Sequence, residues 1–239
     1  MFLYRTHILL SSLTLITVNT QDDDIFSNLI DGGINAMQNF KADFYFVENK
    51  IQSLVPEKVD IKLYYECLCP DCRNFDTISL KPTVEKLASY LNLHLYPYGN
   101  AQTIDKGNGV YEFKCQHGPD ECYGNKLHAC AIDYLRNVTK AVYFNSCMMD
   151  SSRNNRGSND EAADACGNEL NVDPEWIKQC AKDPRGNELL KNYGEESKKV
   201  GFKFVPYILI NGVQNDGGNF MTDVCAAFKT PPPECAQVV

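Results

Sequence analysis

The chain has 239 residues, of which 44% are hydrophobic and 23% are charged, and its formal net charge is −8 at pH 7. This content supports a packed core in one domain of ordinary size and excludes a wholly disordered chain. The acidic balance, with no basic cluster to interrupt it, argues against nucleic-acid binding because such a chain repels phosphate.

Residues 1–20 have the layout of a secretory signal peptide. Arg5 precedes an apolar run over residues 8–18, and the sequence then turns abruptly acidic at residues 22–24. The run is shorter than the ~20 residues that a spanning helix needs. We therefore expect cleavage near Thr20 and no membrane span afterwards. An uncleaved membrane anchor is the alternative.

Entry into the secretory pathway accounts for the cysteine content. The chain has 11 cysteines, and disulfides persist in secretory and extracellular compartments rather than in the cytosol. The sequon Asn137-Val138-Thr139 is usable for glycosylation only in that pathway. The predicted location is therefore the secretory pathway or the cell exterior.

Residues 21–57 form an N-terminal extension with a helical pattern. Apolar residues such as Phe40, Phe44, Val47 and Ile51 recur at steps of three or four. The first interpretation is a helix packed on the main body at residues 58–239. A dimerisation helix or a removable pro-segment is the alternative.

The main body opens with a strand–helix–strand unit. Residues 59–65 alternate as in a strand, and Cys67-Leu68-Cys69-Pro70-Asp71-Cys72 follows. Residues 73–91 fit a helix that Pro82 should kink. Residues 92–98 alternate again, so a cysteine pair lies at the first strand-to-helix junction.

The C-terminal residues predict a complementary half with two strands and flanking helices. Residues 187–200 favour a helix, and residues 204–210 favour a strand that Pro206 interrupts. Asn211-Gly212 is a strong hairpin signal. A return strand and a final helix over residues 220–228 complete this half.

Between the two halves, about residues 99–186 read as a helical insertion held by disulfides. We expect an irregular loop to Gly118 and then short helices. The helical patterns cover about residues 122–137, 140–149, 160–170 and 174–183.

Cys69 and Cys72 carry the strongest chemical signal. Residues i and i+3 in a first helical turn are close enough to form and break a disulfide. The helix terminus favours a thiolate on the N-terminal cysteine, and Pro70 suits a first helical position. Two alternatives stay open: a structural pair, and a metal site that adds Cys67 as a third soft ligand.

Val205-Pro206 is the second candidate element, with a role in substrate positioning. A proline at the start of a strand lacks a ladder hydrogen bond and is tolerated when its peptide is cis beside a functional site. An ordinary edge-strand proline is the alternative.

The residues from Cys115 to Cys130 read C-Q-H-G-P-D-E-C-Y-G-N-K-L-H-A-C. They match C-Q-H-G-x-x-E-C-x-x-N-x-x-x-x-C, so the chain resembles the gamma-interferon-inducible lysosomal thiol reductase family. Tyr64-Tyr65-Glu66, the run from Pro97 to Ala101, and Val205-Pro206 before Asn211-Gly212 also look like that family. The resemblance spans about residues 59–235.

The resemblance implies an α/β, thioredoxin-like fold with the helical insertion between its βαβ and ββα halves. It also implies an enzyme that reduces protein disulfides at acidic pH. Cys69 would be the nucleophile, Cys72 the resolving cysteine and Pro206 the cis-proline. The motif from Cys115 to Cys130 is treated as structural.

Cys67 and the N-terminal extension depart from the family pattern. Cys67 could divert the redox pair into a Cys67–Cys69 bond or stay free. The remaining eight cysteines are predicted to be structural. They are Cys115, Cys122, Cys130, Cys147, Cys166, Cys180, Cys225 and Cys235.

Eight cysteines allow 105 pairings. Cys122 should not pair with Cys130, because eight residues of continuous helix rise ~12 Å. Cys235, after three prolines, is expected to pin the C-terminal tail. His117 and His128 are candidate pH switches, although loop or capped histidines are the commoner case.

The sequence therefore predicts a thiol–disulfide oxidoreductase that acts on disulfide-containing proteins. It needs no bound cofactor and no metal, but an external thiol must regenerate it. An oxidase or isomerase using the same residues is one alternative. A secreted, disulfide-rich interaction protein with little turnover is another, and a zinc module is the weakest.

Overall fold

The structure is a computed structural model that describes residues 57–237. The predicted signal peptide, the N-terminal helical extension and its candidate dimer contact lie outside the described part of the chain. Within residues 57–237, no helix has the length and apolar character that crossing a membrane requires.

A four-stranded mixed sheet forms the centre of the molecule. The strands are β1 (Val59–Tyr65), β2 (Leu91–Pro97), β3 (Gln102–Asp105), β4 (Tyr111–Lys114), β5 (Tyr207–Ile210) and β6 (Val213–Asn215). The sheet order is β2-β1-β5-β6, with β1 parallel to β2 and with β5 antiparallel to both β1 and β6. The two predicted halves therefore join through β1 and β5.

Eight α-helices are present in residues 57–237. They are α1 (Pro70–Phe75), α2 (Lys81–Leu87), α3 (Pro119–Leu135), α4 (Val138–Met149), α5 (Asp160–Leu170), α6 (Pro174–Lys182), α7 (Pro184–Val200) and α8 (Phe220–Ala226). The four helices α3 to α6 occupy the positions that the periodicity of the insertion predicted.

The helix after the cysteine pair contains a π-helical segment rather than a simple proline kink. The segment Asp76–Leu80 joins α1 to α2 and ends just before Pro82. Proline lacks the amide that an i→i−4 bond requires, and wider turns of this kind accommodate such a break. The helix also begins at Pro70, three residues earlier than the sequence pattern placed it.

The prediction of an irregular loop from residue 99 to Gly118 was wrong in part. β3 and β4 pair as an antiparallel hairpin there. The strands have only four residues each and expose most of their side chains. This leaves almost no hydrophobic alternation for sequence reasoning to detect.

The predicted strand over residues 204–210 begins three residues late, at Tyr207. Pro206 cannot donate a ladder hydrogen bond, so pairing with β1 starts after it. Asn211 and Gly212 have φ angles of 48° and 80° and close the β5–β6 hairpin as the dipeptide predicted.

The two largest hydrophobic cores lie in different parts of the fold. The first lies between the sheet, the helix that follows Cys69, and α8, and it includes Leu63, Leu80 and Val224. The second lies inside the insertion and includes Leu127 and Phe144. The insertion is therefore a packed unit with its own buried residues.

All eight cysteines that were expected to be structural form disulfides. The pairs are Cys115–Cys122, Cys130–Cys180, Cys147–Cys166 and Cys225–Cys235. Two of them staple helices of the insertion to one another, and the last ties the C-terminal tail to α8. Cys122 and Cys130 have different partners.

Candidate active site at the start of helix α1

Cys69 occupies the N-cap position of α1, and Cys72 lies in the first turn of that helix. Both sulfurs are free of disulfides. Cys69 is 8% exposed, whereas Cys72 is 1% exposed and receives a hydrogen bond from the backbone amide of Glu66 at 3.5 Å. One cysteine therefore lies at the surface of the site, and the other lies beneath it.

The two thiols have opposite acidities. A hydrogen bond from the Cys72 thiol is the main cause that lowers the pKa of Cys69 to about 6, and the backbone amides of Cys72 and Asp71 add to it. Burial raises the pKa of Cys72 far above its ordinary value. Consequently Cys69 is the sulfur that ionises, and Cys72 keeps its proton and stabilises the neighbouring anion.

Arg73 makes its hydrogen bonds to the insertion. Its guanidinium donates to the carbonyl oxygens of Met149 and Asn154, both at 2.7 Å. These bonds tie the active-site helix to the insertion. Asp71 remains a weak opposing influence on the Cys69 thiolate.

The Val205–Pro206 peptide is cis and faces Cys69. The thiol of Cys69 donates a long hydrogen bond to the carbonyl oxygen of Val205 at 3.8 Å. Phe204, just before this peptide, is 55% exposed. The fold therefore brings the second element predicted from the sequence beside the first.

Cys67 is a fully buried free thiol that faces away from the pair. Its thiol donates to the carbonyl oxygen of Glu121 at 3.6 Å, and its amide donates to Oδ1 of Asn125 at 2.9 Å. A Cβ on Gly124 would lie 2.5 Å from its sulfur. Burial raises the pKa of Cys67 well above its ordinary value, so this thiol stays protonated.

The motif from Cys115 to Cys130 folds against the end of β1, next to the cysteine pair. Nδ1 of His117 lies 2.5 Å from Oε2 of Glu121 and 3.4 Å from Oε2 of Glu66. The amide of His117 also donates to Oε1 of Glu121 at 3.0 Å. We call Glu66, His117 and Glu121 the acid–imidazole cluster.

Glu66 is built tightly into this cluster. Its side chain is fully buried, and its Oε1 accepts a hydrogen bond from the amide of Asn100 at 2.6 Å. Gly99 has a φ of +61°, and a Cβ there would lie 2.2 Å from Cγ of Glu66. Desolvation raises the pKa of Glu66 to about 7.

The cysteines do not form the metal site that their spacing left open. Within residues 57–237, the one group of three potential ligand atoms within 4.8 Å of each other is the acid–imidazole cluster. In that cluster, His117 Nδ1 and Glu121 Oε2 are 2.5 Å apart. Ligands on one ion with bonds of 2.0–2.1 Å lie about 3 Å or more apart, so this geometry is that of a direct hydrogen bond between the two side chains.

Comparison with known proteins places the chain in a family. A profile of the family described as "Gamma interferon inducible lysosomal thiol reductase (GILT)" matches residues 60–170. GILT-like protein 2 of Drosophila melanogaster is 34% identical over 181 residues, which cover 72% of this chain and 82% of that one. The chain belongs to the GILT family. The family predicted from the cysteine motifs is therefore confirmed.

Vertebrate GILT proteins show the same relationship. The gamma-interferon-inducible lysosomal thiol reductase of Carassius auratus is 34% identical over 190 residues, covering 75% of this chain and 72% of that one. The protein of that name from Mus musculus is 31% identical over 185 residues, covering 75% and 73%. Membership in this family of thiol reductases identifies the chain as a thiol–disulfide oxidoreductase.

The fold has a counterpart among solved structures. MdbA, a thiol-disulfide oxidoreductase from Actinomyces oris, superposes with a TM-score of 0.54 at 14% identity, covering 74% of this chain and 83% of that one. Similarity at this identity concerns the fold alone. Together with the sheet order, it confirms the thioredoxin-like α/β class with a helical insertion.

Two residues of the GILT site were missed by sequence reasoning. Glu66 and Glu121 are fully buried carboxyls next to the redox pair, although both stood in runs that carried the family resemblance. An acidic residue directly after the apolar strand 59–65 was the available signal, because an unpaired carboxyl is rarely buried without a reason.

The suggestion that His128 is a pH switch is wrong. His128 is fully buried between Tyr65 Oη at 3.0 Å and Ser158 Oγ at 2.7 Å. Burial lowers its pKa to about 3, so it stays neutral at endosomal pH. His117, by contrast, is partly exposed at the edge of the acid–imidazole cluster.

Asn137 is exposed at the N-cap of α4, where its Oδ1 accepts a hydrogen bond from the amide of Lys140. Glycosylation modifies the side-chain nitrogen of asparagine, not this oxygen. The capping role is therefore compatible with the sequon, and glycosylation of Asn137 stays a prediction.

We expect the buried carboxyls Glu66 and Asp76 to favour folding of the GILT domain at pH 5 over pH 8. Burial raises the pKa of Glu66 and of Asp76 to about 7 each. Their stabilising contribution is fully present below their ordinary pKa and is lost as the pH rises through 7. Each carboxyl therefore favours folding at pH 5 by about 2–3 kcal/mol relative to pH 8.

His128 works in the opposite direction, because its depressed pKa costs about 2 kcal/mol as the pH falls from 8 to 5. Cys69 acts in the same direction as His128, because its lowered pKa stabilises the fold by about 2 kcal/mol at pH 8 relative to pH 5. The net difference for the reduced protein is therefore about 1 kcal/mol or less. Asp76→Asn should become less stable at pH 5 than at pH 8 by about 2 kcal/mol, measured as a lower denaturant midpoint. An Asp76→Asn protein that is as stable at pH 5 as at pH 8 would contradict these assignments.

Proposed function

We propose that this protein reduces disulfide bonds in other proteins within an acidic endolysosomal compartment or outside the cell. The observation that carries the proposal is the opposed acidity of the two sulfurs at the start of α1. At pH 5 a thiol with a pKa of about 6 is ionised in about one molecule in ten. An unperturbed thiol of pKa ~8.5 would be ionised in roughly one in 3,000.

The proposed reaction proceeds in two exchanges. The Cys69 thiolate attacks one sulfur of the substrate disulfide, forms a mixed disulfide and releases the other substrate sulfur as a thiolate, which takes a proton from solvent. The thiol of Cys72 then attacks the sulfur of Cys69 and gives up its proton, which the departing substrate thiolate takes. A Cys69–Cys72 disulfide forms, the second substrate thiolate leaves, and the substrate gains the two electrons that the enzyme gives up.

Substrate positioning is assigned to Val205 and Pro206. In the described structure the carbonyl oxygen of Val205 lies 3.8 Å from the attacking sulfur. An extended substrate segment can pair with this strip of backbone as an added strand, which brings its cysteine to Cys69. Exposed Phe204 offers an apolar contact to that same segment.

Each turnover leaves the pair oxidised, so an external thiol is required to restore it. The reaction uses only sulfur exchange, and we propose that it needs no bound cofactor. Disulfide-containing proteins are the proposed partners. Location in the lysosome, in the endosome or outside the cell follows from the family resemblance and the predicted signal peptide.

The pKa of Cys69 lies closer to that of a reductase than to that of a strong oxidase. A lower pKa on the nucleophile stabilises the reduced pair and makes it more oxidising, from thioredoxin at pKa ≈ 7 and −270 mV to DsbA at pKa ≈ 3.5 and −120 mV. For a pKa of about 6, interpolation between those two proteins gives roughly −230 mV. A measured potential near −120 mV would instead support an oxidase.

The direct test is reduction of a dye-labelled disulfide protein at about pH 5, where the resemblance places the activity, in the presence of a low-molecular-weight thiol. We expect the protein to accelerate release of the dye well above the rate with the thiol alone. The same assay with the redox pair blocked by alkylation is the control. A rate no greater than that control would support the alternative, a disulfide-rich interaction protein with little turnover.

A further inference from the structure

The acid–imidazole cluster gives the motif from Cys115 to Cys130 a place beside the chemistry. His117 and Glu121 come from this motif, whereas Glu66 comes from the end of β1. Glu66 also donates its backbone amide to Cys72 Sγ, at 3.5 Å. A purely structural role for the motif does not explain why the carboxyls of Glu66 and Glu121 are buried beside the cysteine pair.

The composition of the cluster leaves one charge without a counterion. Glu66 and Glu121 are both fully buried, and His117 is the one group in contact with them that can become a cation. The imidazole lies closer to Glu121, at 2.5 Å, than to Glu66, at 3.4 Å. Oε2 of Glu66 is buried without a hydrogen-bond partner.

The titratable groups that act on Glu66 come from this cluster and from the cysteine sequence. Glu121 and His117 lie in α3 and the turn before it, and Cys67, Cys69 and Cys72 lie in α1 and the loop before it. The turn after β2 contributes the uncharged amide of Asn100. Arg73 acts on buried Cys67, whereas the charge of Glu66 is coupled directly to Cys69.

We propose that Glu66 is a positioning residue that acts through Cys69. Protonated Glu66 leaves the Cys69 thiolate unopposed, whereas ionised Glu66 opposes that thiolate by charge repulsion. Glu121 and His117 set the pH at which Glu66 ionises. The proposal rests on the assignment of Cys69 as the nucleophile.

The sign follows from the charges. In acid Glu66 carries a proton and is neutral, so the hydrogen bond from Cys72 determines the acidity of Cys69. As the pH rises through about 7, Glu66 ionises, and its negative charge and that of the Cys69 thiolate repel each other. Because the two groups interact, they titrate as a coupled pair in two overlapping steps.

The decisive experiment titrates the thiolate of Cys69 by its ultraviolet absorbance in the reduced full chain. Glu66→Gln keeps an oxygen for the amide of Asn100 but removes the charge. We expect the broad two-step titration to become a single step, with the apparent pKa lowered by about half a unit to one unit. Cys67 and Cys72 do not interfere, since burial raises the pKa of both far above this range.

Two further variants should shift the pH at which Glu66 ionises in opposite directions. His117→Gln removes the cation, so Glu66 should keep its proton to a higher pH. Glu121→Gln leaves the imidazole to Glu66 alone, so Glu66 should ionise at a lower pH. The infrared band of the protonated Glu66 carboxyl, identified by its loss in Glu66→Gln, reports both shifts. Glu112→Gln on exposed β4 is the matched control and should change nothing.

Since these titrations use no substrate, they stand or fall separately from the reductase assay. An unchanged Cys69 titration in a folded Glu66→Gln protein would overturn the proposal. So would shifts of the same sign in His117→Gln and Glu121→Gln. A titration that a chelator alters would also overturn it, by showing a metal centre in place of the direct hydrogen bond.

Discussion

Cys72→Ser is expected to turn the enzyme into a trap that holds its substrates as mixed disulfides. Cys69 can still attack, but the sulfur that would displace it is gone. A positioned intramolecular group acts at an effective concentration on the order of 10⁵ M, which no external thiol approaches. We therefore expect multiple turnover to fall by about 100-fold or more, with the Cys69–substrate adduct detected by mass spectrometry of the intact complex.

Serine and alanine at position 72 should differ in a way that tests the source of the acidity of Cys69. The Cys72 thiol is the main cause that lowers the pKa of Cys69, and a serine hydroxyl can replace its hydrogen bond whereas alanine cannot. At about pH 5 we expect the adduct to form about tenfold more slowly in Cys72→Ala than in Cys72→Ser, equivalent to about one pKa unit.

Two controls define the trap. Cys69→Ser should form no adduct and show no turnover, because Cys67 and Cys72 are buried with raised pKa values. Cys67→Ser should keep near-normal turnover, since its sulfur bonds to the carbonyl oxygen of Glu121 and not to the pair. Adducts on Cys72 in the Cys69→Ser protein would reverse the assigned roles.

Local signals were sufficient for much of this fold. The βαβ unit, the four helices of the insertion and the Asn211-Gly212 hairpin each rest on periodicity or turn chemistry within about 20 residues. The β3–β4 hairpin was not predicted, because its short strands expose most of their residues and show almost no hydrophobic alternation. The π-helical segment at Asp76–Leu80 was not predicted, because a proline in a helix indicates that the helix is disrupted but not which form the disruption takes.

The candidate site was likewise predictable where its signals are local and not where they join distant parts of the chain. The spacing of Cys69 and Cys72 predicted a redox pair, because the chemistry and the helical turn are both local. The approach of His117 and Glu121 to Glu66 joins positions about 50 residues apart, and no periodicity encodes it. The disulfide partners were equally hidden, since spacing excluded one pairing but did not choose among the rest.

Removing the Cys130–Cys180 disulfide should cost the most stability of any disulfide in the described structure. This bond joins α3 to α6 and closes the longest loop, with a sequence separation of 50. The chain-entropy relation gives about 4 kcal/mol for a loop of that length. For Cys130→Ala/Cys180→Ala we therefore expect a melting temperature lower by about 8–16 °C.

The matched control is Cys225→Ala/Cys235→Ala, which opens a loop with a sequence separation of only 10. The same relation gives about 3 kcal/mol there. Denaturant unfolding of both double variants under non-reducing conditions measures the difference. A smaller loss for Cys130→Ala/Cys180→Ala than for the tail variant would mean that the apolar contacts of the insertion, around Leu127 and Phe144, hold its helices together without that bond.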